Sequence, residues 1–450
     1  MRKKIMKSVL LILLALLVAS TITIFYAGGK KEVEKPTGPI TMRILYAQWD
    51  PGNAVAKVAS GYEAATGGEV KVEADLLSPD LWYQKWLAAA QAHEYVWDLM
   101  VIDSQWLGMA VDGGHIVDLT DKLKGKPFVQ GIPEKLRQYY MADPTFSGKI
   151  WSVPVEADLE VLIYRKDLFE NPEKKAAFKK KYGYELIVPD TWDQLRDAAE
   201  FFNDPKNNFY GFITKWGKTY DVITWDFNQI LWAFGGDYWD PVTKKAEGYI
   251  NSPIAVKAME FYKGLTKFAP PGWPDSDFNT TIQNMNQGLV AMAIEWSSFA
   301  PSVTDPKDSK VYDKVGFAVI PKGPTGRFVS LGGQPMTISA YSPYQDKALK
   351  FIEWFFQEPQ LWVYAEARGH PAYTSILSSE RFWKILPQNK VLWESVPYAR
   401  DIWNIPVYPE LLEASQELLN DAVRGTKPIK QALYELAARH QSALDAFYKK

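Results

Sequence analysis

The stretch GKIWSVPVEADLEVLIYRKDLFE (148–170) combines the alternation of a β-strand with a proline and three carboxylates. From 153 to 163 the odd positions are Val, Val, Ala, Leu, Val and Ile, and the even positions include Glu156, Asp158 and Glu160. Successive side chains of a strand point to opposite faces, so the pattern predicts one apolar and one acidic face. The acidic face has two interpretations: a solvated outer surface, or one wall of a ligand site.

Strands and helices alternate on both sides of this stretch, which favours an α/β fold with parallel pairing. Apolar runs bounded by turn residues predict the strands MRILYA (42–47), EVKVEADLL (69–77), WDLMVIDS (97–104), YGFIT (210–214), LVAMAIEW (289–296), VGFAVIP (315–321) and MTISA (336–340). Helix starts are predicted at Asp50-Pro51, Thr191 with Gln194, Ser252-Pro253 and Ser342-Pro343. An amphipathic helix is predicted from about Lys430 to Lys450.

Composition excludes several classes of function. The chain has 450 residues, a formal net charge of −2 and no basic block, which argues against a nucleic-acid partner. It contains no cysteine, and its four histidines are scattered, so we expect neither a metal site nor a cofactor. The 18 tryptophans are more than a core needs and indicate a flat-sided binding surface.

The N-terminal residues predict a targeting segment. Four basic residues precede the apolar run VLLILLALLVA (9–19), so we expect 1–27 to be a signal peptide or an uncleaved membrane anchor. The polar, Gly- and Pro-containing residues 28–40 are typical of a flexible tether.

Catalytic motifs are absent from the sequence. Neither GxxxxGK[ST], GxGxxG nor GxSxG occurs, and no EF-hand loop is present. Carboxylates are plentiful, so a glycosidase pair stays open, because such a pair is defined by its spacing in space.

Several segments, in order, are similar to one known family. These are YEAATGGEVKVEA, WDLMVIDSQWLGMAVDGGHIVDLTD, the 148–170 stretch, PDTWDQL and NQGLVAMAIEWSSF. Together they resemble the family 1 extracellular solute-binding proteins of ABC importers, which take mainly sugars and oligosaccharides, and the resemblance covers roughly 40–440. Many members carry a lipid-modified cysteine after the signal. This chain has Ala27 there and no cysteine, so we expect no lipoprotein.

The resemblance implies a two-lobe, type II periplasmic-binding-protein-like fold. Each lobe would be a mostly parallel sheet flanked by helices. One lobe would hold 41–153 and 318–370, and the other 154–317 and 371–450. The ligand would lie between them, and Val153-Pro154 would be the first crossing.

Candidate ligand contacts follow from these strand ends and crossings. A sugar offers an apolar face of C–H groups and a rim of hydroxyls, which aromatic rings and polar side chains can match. The candidates are Trp49, Asp50, Asp103, Trp106, Glu156, Asp158, Trp225, Trp296, Gly332, Gly333, Gln334 and Arg368. For several of them a structural role is the competing interpretation: Trp49 as a packed loop ring, Asp50 as a helix cap, Trp106 and Trp225 as core rings, and Gly332-Gly333 as a turn.

The predicted function is therefore the substrate-binding component of an ABC importer, capturing a sugar, with an oligosaccharide favoured. We expect partners of two kinds, the sugar and the transmembrane permease, and a monomer that is periplasmic or extracellular. It would meet the membrane only through an uncleaved N-terminal segment. The alternatives are a secreted glycoside hydrolase using paired carboxylates, and a receptor for a non-sugar solute such as a polyamine or glycerophosphate. The particular sugar and permease are not encoded in any motif.

Overall fold

The computed structural model describes residues 39–141 and 148–449, and the side chain of Asp80 is not described. The predicted targeting segment (1–27) lies outside these residues, as does the predicted tether (28–40) except for its last two positions. Of those, Ile40 already begins the first strand. From Thr41 onward the chain forms one compact unit, and the predicted lobe boundaries stay a prediction.

Short apolar runs form the strands. The strands are β1 (Ile40–Ala47), β2 (Val70–Leu77), β3 (Leu99–Val101), β4 (Val153–Pro154), β5 (Glu160–Arg165), β6 (Tyr210–Ile213), β7 (Val290–Trp296), β8 (Val315–Ala318), β9 (Val329–Ser330), β10 (Pro335–Ile338) and β11 (Ala399–Arg400). Every residue of β7 is buried, which explains its continuous apolar pattern.

Helices connect and cover the strands. They are α1 (Asp50–Ala59), α2 (Tyr62–Ala65), α3 (Pro79–Ala92), α4 (Leu107–Asp112), α5 (Thr120–Leu123), α6 (Pro127–Gln130), α7 (Glu134–Tyr140), α8 (Lys166–Phe169), α9 (Pro172–Tyr182), α10 (Trp192–Phe202), α11 (Val222–Ala233), α12 (Pro253–Leu265), α13 (Phe278–Asn286), α14 (Gln345–Phe355), α15 (Glu358–Glu366), α16 (Thr374–Leu377), α17 (Glu380–Trp383), α18 (Asn389–Ser395), α19 (Tyr408–Arg424) and α20 (Ile429–Tyr448).

The predicted helix starts have mixed outcomes. Thr191 and Gln194 form the expected capping box of α10, and Ser252 accepts a hydrogen bond from the amide of Ala255 at the start of α12. The predictions for α1 and α14 are wrong in detail. Asp50 is the first helical residue of α1 rather than its cap, and α14 begins after Tyr344, two residues beyond the Ser342-Pro343 pair.

Two sheets organise the molecule. The five-stranded sheet has the order β2-β1-β3-β10-β4, and the four-stranded sheet has the order β6-β7-β5-β8. The α/β fold is as predicted, but both sheets are mixed rather than mostly parallel. Strands β1 and β3 pair in parallel, as do β6 and β7, whereas β10 runs antiparallel to β3 and β5 runs antiparallel to β7 and β8. Each sheet therefore has a strand that runs opposite to its neighbours: β10 in the five-stranded sheet and β5 in the four-stranded sheet.

The opening stretch is not one strand. Val153–Pro154 pairs with β10 in the five-stranded sheet, while Glu160–Arg165 belongs to the four-stranded sheet. Residues 155–159 thus connect the two sheets, and 319–334 connect β8 to β10 in the reverse direction. Isolated bridges join these connections, with Leu159 paired to Leu331 and Glu156 paired to Pro371. The prediction of one continuous strand with an acidic face is therefore wrong, because the chain crosses from one sheet to the other after Pro154 and its pairing partners change.

Candidate functional site

A cavity of about 480 Å³ lies where strand ends of both sheets meet the connecting segments. This volume is within the range of small-molecule sites, roughly 300–1,000 Å³. Its walls combine aromatic rings with carboxylate and amide groups, so it offers both apolar faces and hydrogen-bonding groups to a ligand.

The five-stranded sheet contributes its strand ends to one wall. Gln48 and Trp49 follow β1 directly, and Asp103 and Gln105 follow β3. Trp82, on α3, completes this side and donates its Nε1–H to the carbonyl of Val101 at 3.0 Å. Carboxyl ends of parallel strands face a common crevice in α/β sheets, which is why residues far apart in sequence meet here.

The other wall comes from β7 and from the helix α11. Trp296 is the last residue of β7, and its ring lies edge-on to Trp225 at a centroid distance of 5.6 Å. Tyr220 and Asp221 lie just before α11 and also line the cavity. Phe299 follows β7 and meets Trp49 of the first wall at 6.0 Å between ring centroids, so aromatic contacts join the two walls.

The start of α13 forms the rim. Asp277 accepts a hydrogen bond from the amide of Thr280 at 2.8 Å and so caps this helix. Phe278, the first helical residue, stacks on Phe299 with ring planes 4° apart. Asn279 also lines the cavity. The cap helps to hold Phe278 and Asn279 beside the cavity, because a shift of the helix start would break the hydrogen bond from the Thr280 amide to Asp277.

Direct hydrogen bonds join the two walls. The Tyr220 hydroxyl donates to Asp103 Oδ2 at 2.9 Å, and Gln105 Nε2 donates to Asp221 Oδ2 at 2.7 Å. The Tyr408 hydroxyl donates to Gln105 Oε1. The Gln105 side chain therefore donates to the Asp221 carboxylate through its nitrogen and is oriented by the Tyr408 hydroxyl through its oxygen.

The two carboxylates of this network, Asp103 and Asp221, are buried and form no salt bridge with any described residue. Burial, followed by repulsion from Asp221, raises the pKa of Asp103 to about 7. Burial also raises the pKa of Asp221 to about 6, against hydrogen bonds that oppose the shift. Asp103 Oδ1 is buried and has no hydrogen-bond partner among the described residues. A buried carboxylate with an unpaired oxygen is destabilised, and a hydrogen-bond donor or a cation beside it would lower its free energy.

Asp158 lies on the connection between the sheets and also lines the cavity. Its Oδ1 accepts hydrogen bonds from the Ser297 hydroxyl at 2.6 Å and the Ser298 amide at 3.0 Å, and its Oδ2 accepts one from the Ser298 hydroxyl. These donors fix the carboxylate against the residues that follow β7. Burial nevertheless raises the pKa of Asp158 to about 6.

Gly332 and Gln334 come from the returning connection. A Cβ atom on Gly332 would lie 2.7 Å from the Trp296 ring, so only glycine lets that ring reach its position on the cavity wall. Gln334 Nε2 donates to the Gly332 carbonyl at 2.6 Å, which orients this amide beside the cavity.

Glu156 lies behind the cavity wall rather than on it. Its Oε2 accepts a hydrogen bond from the Tyr46 hydroxyl at 2.6 Å, and its Oε1 is 3.6 Å from His370 Nδ1. Burial raises the pKa of Glu156 to about 8 and lowers that of His370. Glu156, Asp158 and His370 each offer an atom within 4.8 Å of the others, close enough to hold a metal ion, but the serine donors already satisfy both oxygens of Asp158.

Four other predicted contacts lie outside the cavity. Asp50 starts α1 and is 3.5 Å from the Arg368 guanidinium, an exposed pair on the surface. The Trp106 ring is buried at centroid distances of 4.4 Å from Trp82 and 5.4 Å from Trp86, which matches its alternative interpretation as a core ring. Gly333 packs against Tyr140, whose hydroxyl accepts its amide hydrogen.

The structure therefore groups seven of the twelve predicted contacts around one cavity: Trp49, Asp103, Asp158, Trp225, Trp296, Gly332 and Gln334. Their role as ligand contacts stays a prediction. The interpretation of the acidic face as a solvated outer surface is wrong, because Glu156, Asp158 and Glu160 are all buried. Of the three, Asp158 lines the cavity, and its contact with a ligand stays a prediction.

Sequence reasoning missed the residues that enter from helix starts, chiefly Gln105, Tyr220, Asp221 and Phe278. A local signal existed for Tyr220 and Asp221, which follow Lys218-Thr219 immediately before a helical apolar pattern. Tyr220 adopts φ +49°, an uncommon conformation for a non-glycine residue and one that often marks a functional turn. Only the fold shows that this turn faces the end of β3.

The profile of the bacterial extracellular solute-binding proteins matches residues 46–361, well over half of the chain. The chain belongs to this family. The predicted family and its extracellular or periplasmic setting are thereby confirmed, as is the α/β fold of the type II periplasmic binding proteins.

Relatives and solved structures agree with this membership. A probable ABC transporter-binding protein of Deinococcus radiodurans is 27% identical over 64% of this chain and 66% of its own length. The mannitol-binding protein of Pseudomonas aeruginosa is 27% identical over 66% of this chain and 69% of its own length. A solute-binding protein of Agrobacterium radiobacter K84, solved with ribitol, has a TM-score of 0.75 and 27% identity, covering 91% of this chain and all of its own.

Membership implies two partners at a coarse level, a small-molecule ligand and the permease of an ABC transporter. The relatives are binding proteins rather than enzymes. Within the described residues, no helix is both long and apolar enough to cross a lipid bilayer.

Proposed function

We propose that this solute-binding protein captures a sugar or sugar alcohol in the cavity between its two sheets and delivers it to an ABC permease. The observation that carries the proposal is the pairing of Trp49, Trp225 and Trp296 with the polar groups of Asp103 and Gln334 around one 480 Å³ space. Indole faces suit the C–H face of a sugar, and fixed carboxylate and amide groups suit its hydroxyls. The mannitol and ribitol named for relatives have the same rim of hydroxyls.

Binding closes two lobes over the ligand in this proposal. The two sheets are joined by 155–159 and 319–334, together with the segment at Pro371, and contacts from both walls stabilise the closed form. A closed monomer then presents its surface to the permease. Residues 1–27 direct secretion or remain as an anchor, and the absence of cysteine leaves no site for a lipid thioether.

A hydrolase is the competing proposal, and the carboxylates argue against it. Glycosidases need two carboxyl groups facing the scissile bond. Glu156 lies behind the wall, and both oxygens of Asp158 accept hydrogen bonds from serine groups. The other two buried carboxylates of the cavity, Asp103 and Asp221, each accept a hydrogen bond from the opposite wall, at 2.9 Å from Tyr220 and 2.7 Å from Gln105. We propose that no bond of the ligand is broken.

A thermal-shift screen against monosaccharides, oligosaccharides and alditols tests the proposal. A ligand at a hundredfold excess over its Kd stabilises a protein by about 2.7 kcal/mol, so a true ligand gives a clear rise in Tm. The stabilising sugar must be recovered intact after long incubation. Recovery of a shortened sugar would establish the hydrolase function. Stabilisation by polyamines or glycerophosphate alone would overturn the proposal that the ligand is a sugar.

A further inference from the structure

The charges around the cavity are one-sided. Its lining includes four carboxylates, those of Asp103, Asp158, Asp221 and Asp277, and no Lys, Arg or His among the described residues. A site for a neutral sugar needs donors as well as acceptors around its rim, because hydroxyls both donate and accept. The amide groups of the lining can donate as well as accept, but its charged groups are all carboxylates, which favours a ligand with a positive charge.

Nearby cations are already committed elsewhere. Lys215, whose Nζ lies 5.9 Å from the Trp296 ring, is within 2.8–3.5 Å of three other buried carboxylates. Arg368 pairs with Asp50 on the surface. Lys215 lowers the pKa of Asp221 only as the last of several smaller influences that oppose burial. Among the described residues neither cation forms a salt bridge with Asp103 or Asp221, whose hydrogen-bond partners are the neutral groups of Tyr220 and Gln105.

Asp103 is the carboxylate of the cavity that has a buried oxygen without a hydrogen-bond partner among the described residues. It is 5% exposed and lines the cavity, yet its Oδ1 has no hydrogen-bond partner among the described residues. Leaving a buried carboxylate oxygen unpaired is costly, and a bound ammonium would supply both a donor and the countercharge. The raised pKa of Asp103, caused by burial and by Asp221, agrees with a site that lacks its cation.

Aromatic rings complete the surroundings that cations prefer. Seven aromatic side chains line the same space: Trp49, Trp82, Tyr220, Trp225, Phe278, Trp296 and Phe299. Tryptophan faces attract ammonium groups through their quadrupoles, more strongly where water is excluded. Rings and carboxylates together serve a sugar that carries an amine better than they serve a neutral one.

We propose that the ligand is an amine-bearing sugar or alditol whose ammonium group binds at Asp103 and Asp221, with its ring or chain held against the tryptophans. This inference rests on the proposed function and adds the charge of the ligand to it. A neutral ligand would instead require these aspartates to be protonated and to act as donors.

Calorimetry at pH 7 with matched pairs tests the charge directly. The pairs are glucosamine and glucose, galactosamine and galactose, and 1-amino-1-deoxyglucitol and glucitol, with N-acetylglucosamine as the uncharged control for bulk. We expect the amine member of at least one pair to bind ten times or more tighter than its neutral partner. The N-acetyl compound should bind no better than the neutral sugar.

Variants locate the ammonium site. Asp103→Asn and Asp221→Asn should each weaken the amine ligand at least tenfold and the neutral partner less than threefold. Asp346→Asn, with a side chain 92% exposed, removes the same charge from the surface and should change neither affinity. Circular dichroism and Tm confirm that each variant is folded, and a misfolded Asn variant is replaced by Asp→Ser at the same position.

The outcomes separate the two proposals. Neutral members that bind as well as, or better than, their amines overturn the charged ligand and leave the sugar receptor intact. No binding of any saccharide, of spermidine or of choline overturns both proposals. Tight binding of spermidine or choline without any saccharide retains the cationic site but removes the sugar. Equal losses for both ligands in the Asn variants overturn the assignment to Asp103 and Asp221.

Discussion

At the residue scale, burial determines the character of the acidic groups. Asp103, Asp158 and Asp221 would be ordinary surface carboxylates on an exposed loop, but here each has a raised pKa. In the proposed function, the free protein keeps these buried carboxylates without enough partners, and the ligand supplies them. Binding proteins gain selectivity in this way, because a ligand that leaves the buried groups unpaired is rejected.

The free energy of unfolding should therefore fall as pH rises through the range that Asp103 titrates. Its folded pKa is about 7, and an unfolded aspartate has a pKa of about 3.9. Between about pH 3.9 and about pH 7 the folded state binds more protons at Asp103 than the unfolded state does. The free energy of unfolding therefore falls as the pH rises through this range and levels off above about pH 7. Asp221 and Asp401 face the same group, and burial raises the pKa of each, so both add to this slope. Tyr220, which donates a hydrogen bond to Asp103, stays protonated over this range because burial raises the pKa of its hydroxyl.

Asp103→Asn should flatten this dependence in urea denaturation at pH 5, 6, 7 and 8. At pH 8 the variant should be the more stable protein, by an amount on the order of 1 kcal/mol, below the roughly 4 kcal/mol that a three-unit shift allows. The surface variant Asp346→Asn should keep the wild-type slope. An unchanged slope in Asp103→Asn would show that this carboxyl does not titrate as described.

Gly332→Ala should weaken ligand binding tenfold or more. The new methyl group would lie 2.7 Å from the Trp296 ring and displace it from the cavity wall. Gly264→Ala is the matched control, because its Cβ meets nothing within 4 Å and the residue lies in α12. The control should keep full affinity and gain up to about 1 kcal/mol of stability. Titration of both variants with the same ligand checks this, and equal affinities would contradict the role of Gly332.

At the element scale, β5 and β7 are joined by charge as well as by their hydrogen bonds. Glu160 on β5 and Glu295 on β7 both approach Lys215 Nζ, at 2.8 Å and 3.5 Å, and Asp226 on α11 lies 3.2 Å away. All four side chains are buried. Glu160, the third carboxylate of the opening stretch, is thus paired with a buried lysine rather than exposed to solvent. This cluster lies directly behind Trp296.

Lys215→Met should lower the free energy of unfolding by about 3–5 kcal/mol at pH 7, because three carboxylates would lose their buried cation. Burial already raises the pKa of Glu295 to about 8. The penalty should shrink toward pH 5 as these groups take up protons. Lys257→Met, on the exposed face of α12, should stay within about 0.5 kcal/mol of wild type. Guanidinium denaturation at both pH values measures the difference, and a loss under 1 kcal/mol would contradict the cluster's role.

At the scale of the whole molecule, few covalent connections join the two sheets while many side chains meet between them. Wall-to-wall hydrogen bonds such as Tyr220 to Asp103 compete with opening, and the ligand adds further contacts to the same side. In the proposed mechanism, a receptor built in this way exchanges an open and a closed form at small cost.

Small-angle scattering should show the radius of gyration of the protein falling when a stabilising ligand saturates it. Tyr220→Phe removes one hydrogen bond between the walls, so the free variant should be more expanded than the free wild type and bind several-fold more weakly. Tyr434→Phe, at an exposed position on α20, serves as the control and should match wild type in both forms. Identical free and bound profiles for the wild type would exclude closure.

Much of the fold could be predicted from the sequence because local rules applied. The capping box at Thr191 and the buried strand of 289–296 required only neighbouring residues. The capping proposed for Asp50 failed because the helix already includes that residue, a difference that propensity does not resolve. The split of 153–163 between two sheets is a matter of long-range pairing, which alternation alone does not reveal.

The sequence by itself determined the α/β class, the family and the rings and carboxylates available for binding, because periodicity, capping and motif order are local properties of the chain. Only the tertiary structure decided which of them share a space. Glu156 lies behind the cavity wall rather than on it. Tyr220 and Asp221, which precede α11, lie next to the residues that follow β3 and line the cavity with them. The physical reason is that a cavity and its charge balance are sums over segments hundreds of residues apart, and folding alone brings those segments together.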